Sequence, residues 1–130
     1  MKKIAVIILN WNGADLLRKF LPSVCAHTNA HIADVIVVDN GSDDNSVEVL
    51  KQEFPQVKTL LFPQNCGFAA GYNKALEMLD YKYAVLLNSD VETTPHWLEP
   101  LLEFAEDNPD VAACQPKIKS LRRREKFEYA

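Results

Sequence analysis

Apolar positions along the chain fall into two textures. Short unbroken runs at residues 4–9, 35–38, 57–62, 83–87 and 111–114 are rich in β-branched residues and lack strict alternation. That pattern predicts strands buried on both faces of a parallel sheet. Between them, apolar residues recur at helical spacing: Leu16, Leu17, Phe20, Leu21, Val24 and Cys25; then Val47, Leu50 and Phe54. A third stripe is Phe68, Tyr72, Ala75, Leu76 and Leu79, and a fourth is Trp97, Leu98, Leu101, Leu102 and Ala105. Ser42, Asp43, Asp44 and Asn45 are suited to cap the second helix, and Thr94-Pro95 reads as N-cap and first turn of the fourth. Pro22 is the discordant residue, predicted to kink or break the first helix.

The resulting order, β-α-β-α-β-α-β-α-β, calls for right-handed crossovers and an α/β fold: a mostly parallel sheet with helices on both faces. In such sheets ligands bind beyond the carboxyl ends of the strands. The loops at that edge are Asn10-Trp11-Asn12-Gly13, Asp39-Asn40-Gly41-Ser42-Asp43-Asp44, Pro63-Gln64-Asn65-Cys66-Gly67 and Asn88-Ser89-Asp90-Val91-Glu92-Thr93. All four glycines (Gly13, Gly41, Gly67 and Gly71) lie there or in the helix turn just beyond, whereas the loops at the opposite edge are plainer. Asn, Asp and Gly are also ordinary turn formers; the signal is their concentration on one edge.

Composition narrows what that edge could hold. With 130 residues and 48% hydrophobic residues, the chain should bury roughly 65–70% of its unfolded surface and needs no disulfide or metal staple. Fourteen Lys and Arg stand against 18 Asp and Glu, which disfavours a nucleic-acid partner. No apolar run nears the roughly 20 residues of a membrane span, and the opening apolar run stops at Asn10 without a cleavage site, so a cytoplasmic domain is expected. Cys25, Cys66 and Cys114 have no metal-ligand spacing and read as reduced thiols used as small hydrophobes. His27, His31 and His96 likewise lack such spacing and read as surface or helix-end residues. The Walker pattern and Gly-x-Gly-x-x-Gly are absent. The acidic edge suits a nucleotide diphosphate attached to a further group: carboxylates take hydrogen bonds from base or ribose and hold a divalent cation on the phosphates.

Four stretches carry a family resemblance, in order and over essentially the whole chain. They are residues 6–13 (Val-Ile-Ile-Leu-Asn-Trp-Asn-Gly), 37–46 (Val-Val-Asp-Asn-Gly-Ser-Asp-Asp-Asn-Ser), 65–73 (Asn-Cys-Gly-Phe-Ala-Ala-Gly-Tyr-Asn) and 86–90 (Leu-Leu-Asn-Ser-Asp). Together they resemble the family 2 glycosyltransferases of GT-A fold, especially bacterial rhamnosyl- and galactosyltransferase-like members.

The resemblance implies a Rossmann-like nucleotide-binding half of a GT-A fold, spanning residues 1–118, with 119–130 a charged tail before a C-terminal part. It implies a glycosyltransferase moving a sugar from a UDP- or dTDP-linked donor to a saccharide or lipid-linked acceptor, with inversion. Asp39 would accept the imide N–H of the base, with Asn10, Trp11 and Asn12 bordering base and ribose. Asn65, Gly67 and Asn73 would lie where the third helix meets the nucleotide, Gly67 and Gly71 also letting that helix approach the sheet. Asn88-Ser89-Asp90 occupies the Asp-x-Asp position, Asn88 on the nucleotide and Asp90 holding Mg²⁺ or Mn²⁺ with Glu92 assisting; Asn88 stands where the family has a carboxylate, which weakens the metal site. The general base is expected in the later half of the enzyme, outside this chain. Arg122–Lys126 reads first as a solvated charge run, and membrane contact through it, at the inner face, is at most peripheral.

Two other readings compete. A receiver-like regulatory module would use Asp39 as phosphoacceptor with Mg²⁺, but wants an acidic pair where Asn10-Trp11-Asn12 stands. A sugar-nucleotide-forming nucleotidyltransferase wants a Gly-rich basic loop after the first strand, and that loop has no such sequence.

Overall fold

The computed structural model describes residues 2–114 and the strand segments 118–119 and 127–129. The chain runs β1 (Ile4–Asn10), α1 (Ala14–His27), β2 (Ala33–Asn40), α2 (Ser46–Glu53), β3 (Lys58–Phe62), α3 (Phe68–Met78), β4 (Tyr83–Leu87) and α4 (Glu99–Asp107). Two short strands follow, β5 (Ile118–Lys119) and β6 (Phe127–Tyr129). The first four strands form one parallel sheet in the order β3-β2-β1-β4. This is the expected α/β architecture.

The two faces of β1 and β2 bury alternate residues. Ile4, Val6, Ile8 and Val37 pack with Leu17, Leu21 and Val24 of α1, Val49 and Leu50 of α2, and Leu98 just before α4. Ala5, Ile7, Ile36, Val38 and Phe62 pack on the other face with Tyr72 and Ala75 of α3. The apolar runs are continuous because both faces are covered. Among the described residues α3 is the helix on the second face, and β4 is half-buried: Tyr83, Val85 and Leu87 pack on the α4 side while Ala84 and Leu86 are exposed.

Register decides where the loops emerge. Asn10 pairs with Asp39, Asn40 with Phe62, and Ile8 with Leu87. The four loops singled out in the sequence therefore leave the sheet at one edge.

Several expectations are corrected. Residues 111–114 are exposed and form no strand, because the amide of Val111 turns back to the carbonyl of Asn108. α4 begins at Glu99 rather than after Thr94-Pro95, since His96 takes a left-handed φ of 59° and Pro100 supplies the first-turn proline. α1 continues across Pro22, held on either side by buried Leu21 and Val24, with Ser23 Oγ donating to the carbonyl of Phe20. Tertiary packing outweighs the lost backbone donor there. Leu16, Phe68 and Leu76 lie outside the core stripes assigned to them, and Cys66 and Cys114 are exposed rather than buried. β5 and β6 pair antiparallel, β5 straddling residues 118 and 119; the charge run at 122–126 lies outside the described residues.

At the opposite edge, two carboxylates each gather several partners. Asp34 accepts from Lys2, Lys58 and Tyr81; burial pushes its pKa up, but those partners prevail and bring it down to about 2. Glu106 is likewise held at about 2 by Lys3, Lys82 and Tyr83. Both pKa values are depressed by folding, so their stabilisation is complete above the ordinary carboxylate range and fades as pH falls toward 2. Asp34→Asn is therefore expected to lower the melting temperature at pH 7 and to flatten its decline between pH 5 and 2. Thermal melts at stepped pH check this; an unchanged acid limb in the variant would refute it.

Candidate functional site

The strand-end edge is organised around Asp39. Its side chain is 2% exposed, and that of register partner Asn10 is 1% exposed. Asn10 Nδ2 and Ser42 Oγ donate to Asp39 Oδ1 at 3.0 and 2.6 Å, and the Ser42 amide donates to Oδ2 at 3.0 Å. A carboxylate offers about four acceptor positions. These bonds occupy both on Oδ1 and one on Oδ2, leaving one on Oδ2 for another donor. Asn10 is thus an internal support: Nδ2 also faces Ser42 Oγ at 3.4 Å, while Oδ1 is buried without a partner. An added Cβ on Gly13 would lie 2.6 Å from that oxygen, which explains the glycine.

The β1–α1 and β2–α2 loops are laced together. Asn12, in the left-handed region at φ 50°, donates its amide to Ser42 Oγ at 2.9 Å. Its Oδ1 accepts the amides of Asp43 at 2.7 Å and Asp44 at 3.2 Å. Asp44 reaches back: Oδ2 accepts the Ala14 amide at 3.2 Å, and Oδ1 accepts the Ser46 amide at 2.9 Å and the Ser46 hydroxyl. Burial pushes the Asp44 pKa up, yet these bonds outweigh it and hold the carboxyl below its usual range. Trp11 projects from the same loop, 54% exposed.

A second clasp joins the next loop. Asn40 Nδ2 donates to Asn65 Oδ1 and to the Gly67 carbonyl, both at 3.2 Å, and Asn40 Oδ1 accepts the Cys66 amide at 3.1 Å. Asn65 Oδ1 also accepts the Gly67 amide at 2.7 Å. Gly41, at φ 74°, lies so close that a Cβ would sit 2.5 Å from the Gln64 carbonyl carbon. Of the two α3 glycines, only Gly71 serves close packing, with Leu9 and Asn40 at 3.0–3.3 Å from a virtual Cβ; Gly67 faces open space. α3 has no acidic residue in its first turn. Its free amides therefore present an uncompensated positive end to the edge. Asn73 is exposed on α3.

The loop after β4 carries Asn88, Asp90 and Glu92, all exposed. Its base is tied to α1: Ser23 Oγ accepts the Thr93 amide at 3.1 Å, His27 Nδ1 donates to the Thr93 carbonyl at 2.9 Å, and Trp97 Nε1 donates to Thr28 Oγ1 at 3.2 Å. Tyr72 Oη donates to the carbonyl of Leu87 at 3.1 Å, linking α3 to the end of β4. β2 and β4 flank β1, so the Asp39 strand and the start of the Asp90 loop are roughly 10 Å apart at ordinary strand spacing. Asn88 and Asp90 carry oxygen donors of the kind that Mg²⁺ or Mn²⁺ takes. Among the described residues no group of three or more His, Cys, Asp or Glu is placed to hold a metal ion.

Sequence reasoning located Asp39 and the loops but missed the residues that hold them: Ser42, Asn40 and Asp44. The turn signal Asp-Asn-Gly-Ser contains them, since Asx and Ser side chains commonly bond to nearby backbone. The buried, thrice-bonded Asp39 is also poorly disposed as a phosphoacceptor, which removes the appeal of the receiver-like reading.

The sequence profile of glycosyl transferase family 2 matches residues 5–129. An uncharacterized glycosyltransferase of Escherichia coli K12, YibD, is 34% identical over 86% of this chain and 33% of its own length. An N-acetylglucosaminyl-diphospho-decaprenol L-rhamnosyltransferase of Mycobacterium tuberculosis H37Rv is 24% identical over 89% of this chain and 41% of its own length. The chain thus spans about a third of the first of these relatives. The crystal structure of S. aureus TarS 1-349 in complex with UDP-GlcNAc shares the fold, with a TM-score of 0.72 at 18% identity, over 94% of this chain and 42% of that one. By profile, relatives and fold together, the chain belongs to glycosyl transferase family 2.

Proposed function

We propose that this chain forms the donor-binding part of a glycosyltransferase that takes a sugar from a uridine- or thymidine-diphosphate carrier and passes it, with inversion, to a saccharide or lipid-linked acceptor. The observation that carries this reading is the convergence of Asp39, the α3 N-terminus and the Asp90 loop on one edge, across a span that suits a nucleoside diphosphate. The UDP-GlcNAc bound by the structurally similar TarS supports the same class of donor.

Each residue has a task in this reading. The open acceptor position on Asp39 Oδ2 takes the imide N–H of the pyrimidine, and Trp11 covers the base. The α3 amides beyond Asn65 and Gly67 receive a phosphate, helped by the helix field; Asn73 lies on the same helix. Asn88 and Asp90, with Glu92 nearby in sequence, hold the divalent cation, which when bound neutralises the diphosphate and the charge that develops as it departs. The base that takes the acceptor's proton lies in a segment C-terminal to these residues. The reaction takes place in the cytoplasm, and the product enters polysaccharide assembly.

Asp90→Ala is expected to lower UDP affinity about tenfold in the presence of Mn²⁺, and to leave the weaker affinity measured with chelator unchanged. Calorimetric titration of UDP under both conditions tests this. A metal-independent loss of the same size would show Asp90 acting otherwise, and no saturable binding of any pyrimidine nucleotide by the folded protein would remove the donor assignment.

A further inference from the structure

We infer that Asp44 is a positioning residue for the base side of the donor site: one carboxylate bridges the N-termini of α1 and α2 and thereby sets the gap between the β1–α1 and β2–α2 loops. This rests on the nucleotide reading above and assigns a role to a residue that otherwise reads as a simple helix cap.

The geometry differs from ordinary capping. Neither Gly13 nor Asn45, the N-cap residues of α1 and α2, makes a side-chain cap. Asp44 replaces both: Oδ1 serves the start of α2 at the Ser46 amide, and Oδ2 crosses 30 positions of sequence to the Ala14 amide, the first residue of α1. Each helix N-terminus has unsatisfied amides and a positive field, so a shared carboxylate stabilises both while pinning them together. The bridge is reciprocated by Asn12, whose Oδ1 takes the Asp43 and Asp44 amides from the opposite loop. Between these two contacts lies Ser42, whose hydroxyl joins the Asn12 amide to Asp39 Oδ1. The position of Trp11 and the gap between its loop and the β2–α2 loop beside Asp39 therefore depend on Asp44, whose carboxylate bonds to Ala14 and Ser46.

An alanine at 44 releases the Ala14 amide and lets the loops part, with the lesion confined to the base side. The phosphate side hangs on α3 and the β4 loop, which Asp44 does not touch. In the full chain, Asp44→Ala is expected to weaken uridine and UDP by the same factor, about tenfold, while inorganic pyrophosphate with Mn²⁺ binds as in wild type. Amide hydrogen exchange at Ala14 should speed up in the same variant. Asp44→Asn, which keeps one acceptor oxygen, should fall between the two and guards against a poorly folded alanine variant. Asn12→Ala should add little on top of Asp44→Ala, because both cut one clasp. Equal weakening of uridine and pyrophosphate would indicate a general structural lesion and overturn the inference, as would wild-type uridine affinity in Asp44→Ala. Failure of the wild-type protein to bind either uridine or UDP would instead sink the donor reading beneath it.

Discussion

Asp39→Ala is expected to weaken UDP binding by roughly 100-fold, the worth of one charge-assisted hydrogen bond in a desolvated setting, and to destabilise the protein by about 3 kcal/mol through its orphaned donors. The two effects have one source. The carboxylate holds the Ser42 amide, the Ser42 hydroxyl and Asn10 Nδ2, so its removal leaves buried donors stranded and also deletes the remaining acceptor position. Asp39→Asn separates them. An amide keeps one acceptor oxygen for part of the network, but presents N–H groups toward a base that itself offers N–H. Stability should therefore recover further than affinity. Denaturant melts and UDP titrations on the two variants check this; an Asp39→Asn protein that binds UDP like wild type would refute the assigned contact.

Gly41→Val is expected to cost about 3 kcal/mol, the sum of a left-handed backbone forced on a β-branched residue and overpacking against main chain. The obstruction is backbone, with the Asn65 amide nitrogen 2.6 Å from a virtual Cβ, so no side chain can swing aside. The β3–α3 loop must move instead, carrying Asn65 and the start of α3 with it. Loss of stability should thus be accompanied by loss of nucleotide affinity. Gly67→Ala forms the comparison: its φ of 90° is strained as well, but the space beside it is open. Melting temperatures of the pair decide the point, and equal losses would show that strain alone, without the clash, explains Gly41.

The sequence was most legible where apolar runs are short and unbroken, even though β3 and β4 are covered only in part. The first four apolar runs became the four parallel strands, and the loops dense in Asn, Asp and Gly emerge together at one sheet edge, because hydrophobic period and turn chemistry are local properties. What failed was non-local. The run at 111–114 resembles a strand in isolation, but a strand needs a partner, and Val111 is committed to a turn. Phe68 fits the helical stripe of α3, yet it is 67% exposed because that helix lies over β1 and β2 rather than β4. Asn10 and Asp39 were legible as residues of one sheet edge, but not as buried partners, since their contact depends on a register that no single segment specifies. Asp44 was legible only as a cap for its own helix; its second bond spans two loops.

The two multi-partner carboxylates at the far edge have a consequence for how charge is distributed. They gather Lys2, Lys3, Lys58 and Lys82 at the ends where the strands begin, whereas the rim loops 10–13, 39–45, 63–67 and 88–93 contain Asp39, Asp43, Asp44, Asp90 and Glu92 and no lysine or arginine. A strand of seven residues separates the ends by roughly 20 Å, well beyond a Debye length of about 8 Å at physiological salt. At that distance the paired lysines do little to offset the carboxylates of the rim loops, so on the donor reading proposed above a diphosphate already paired with a cation is the form best able to approach.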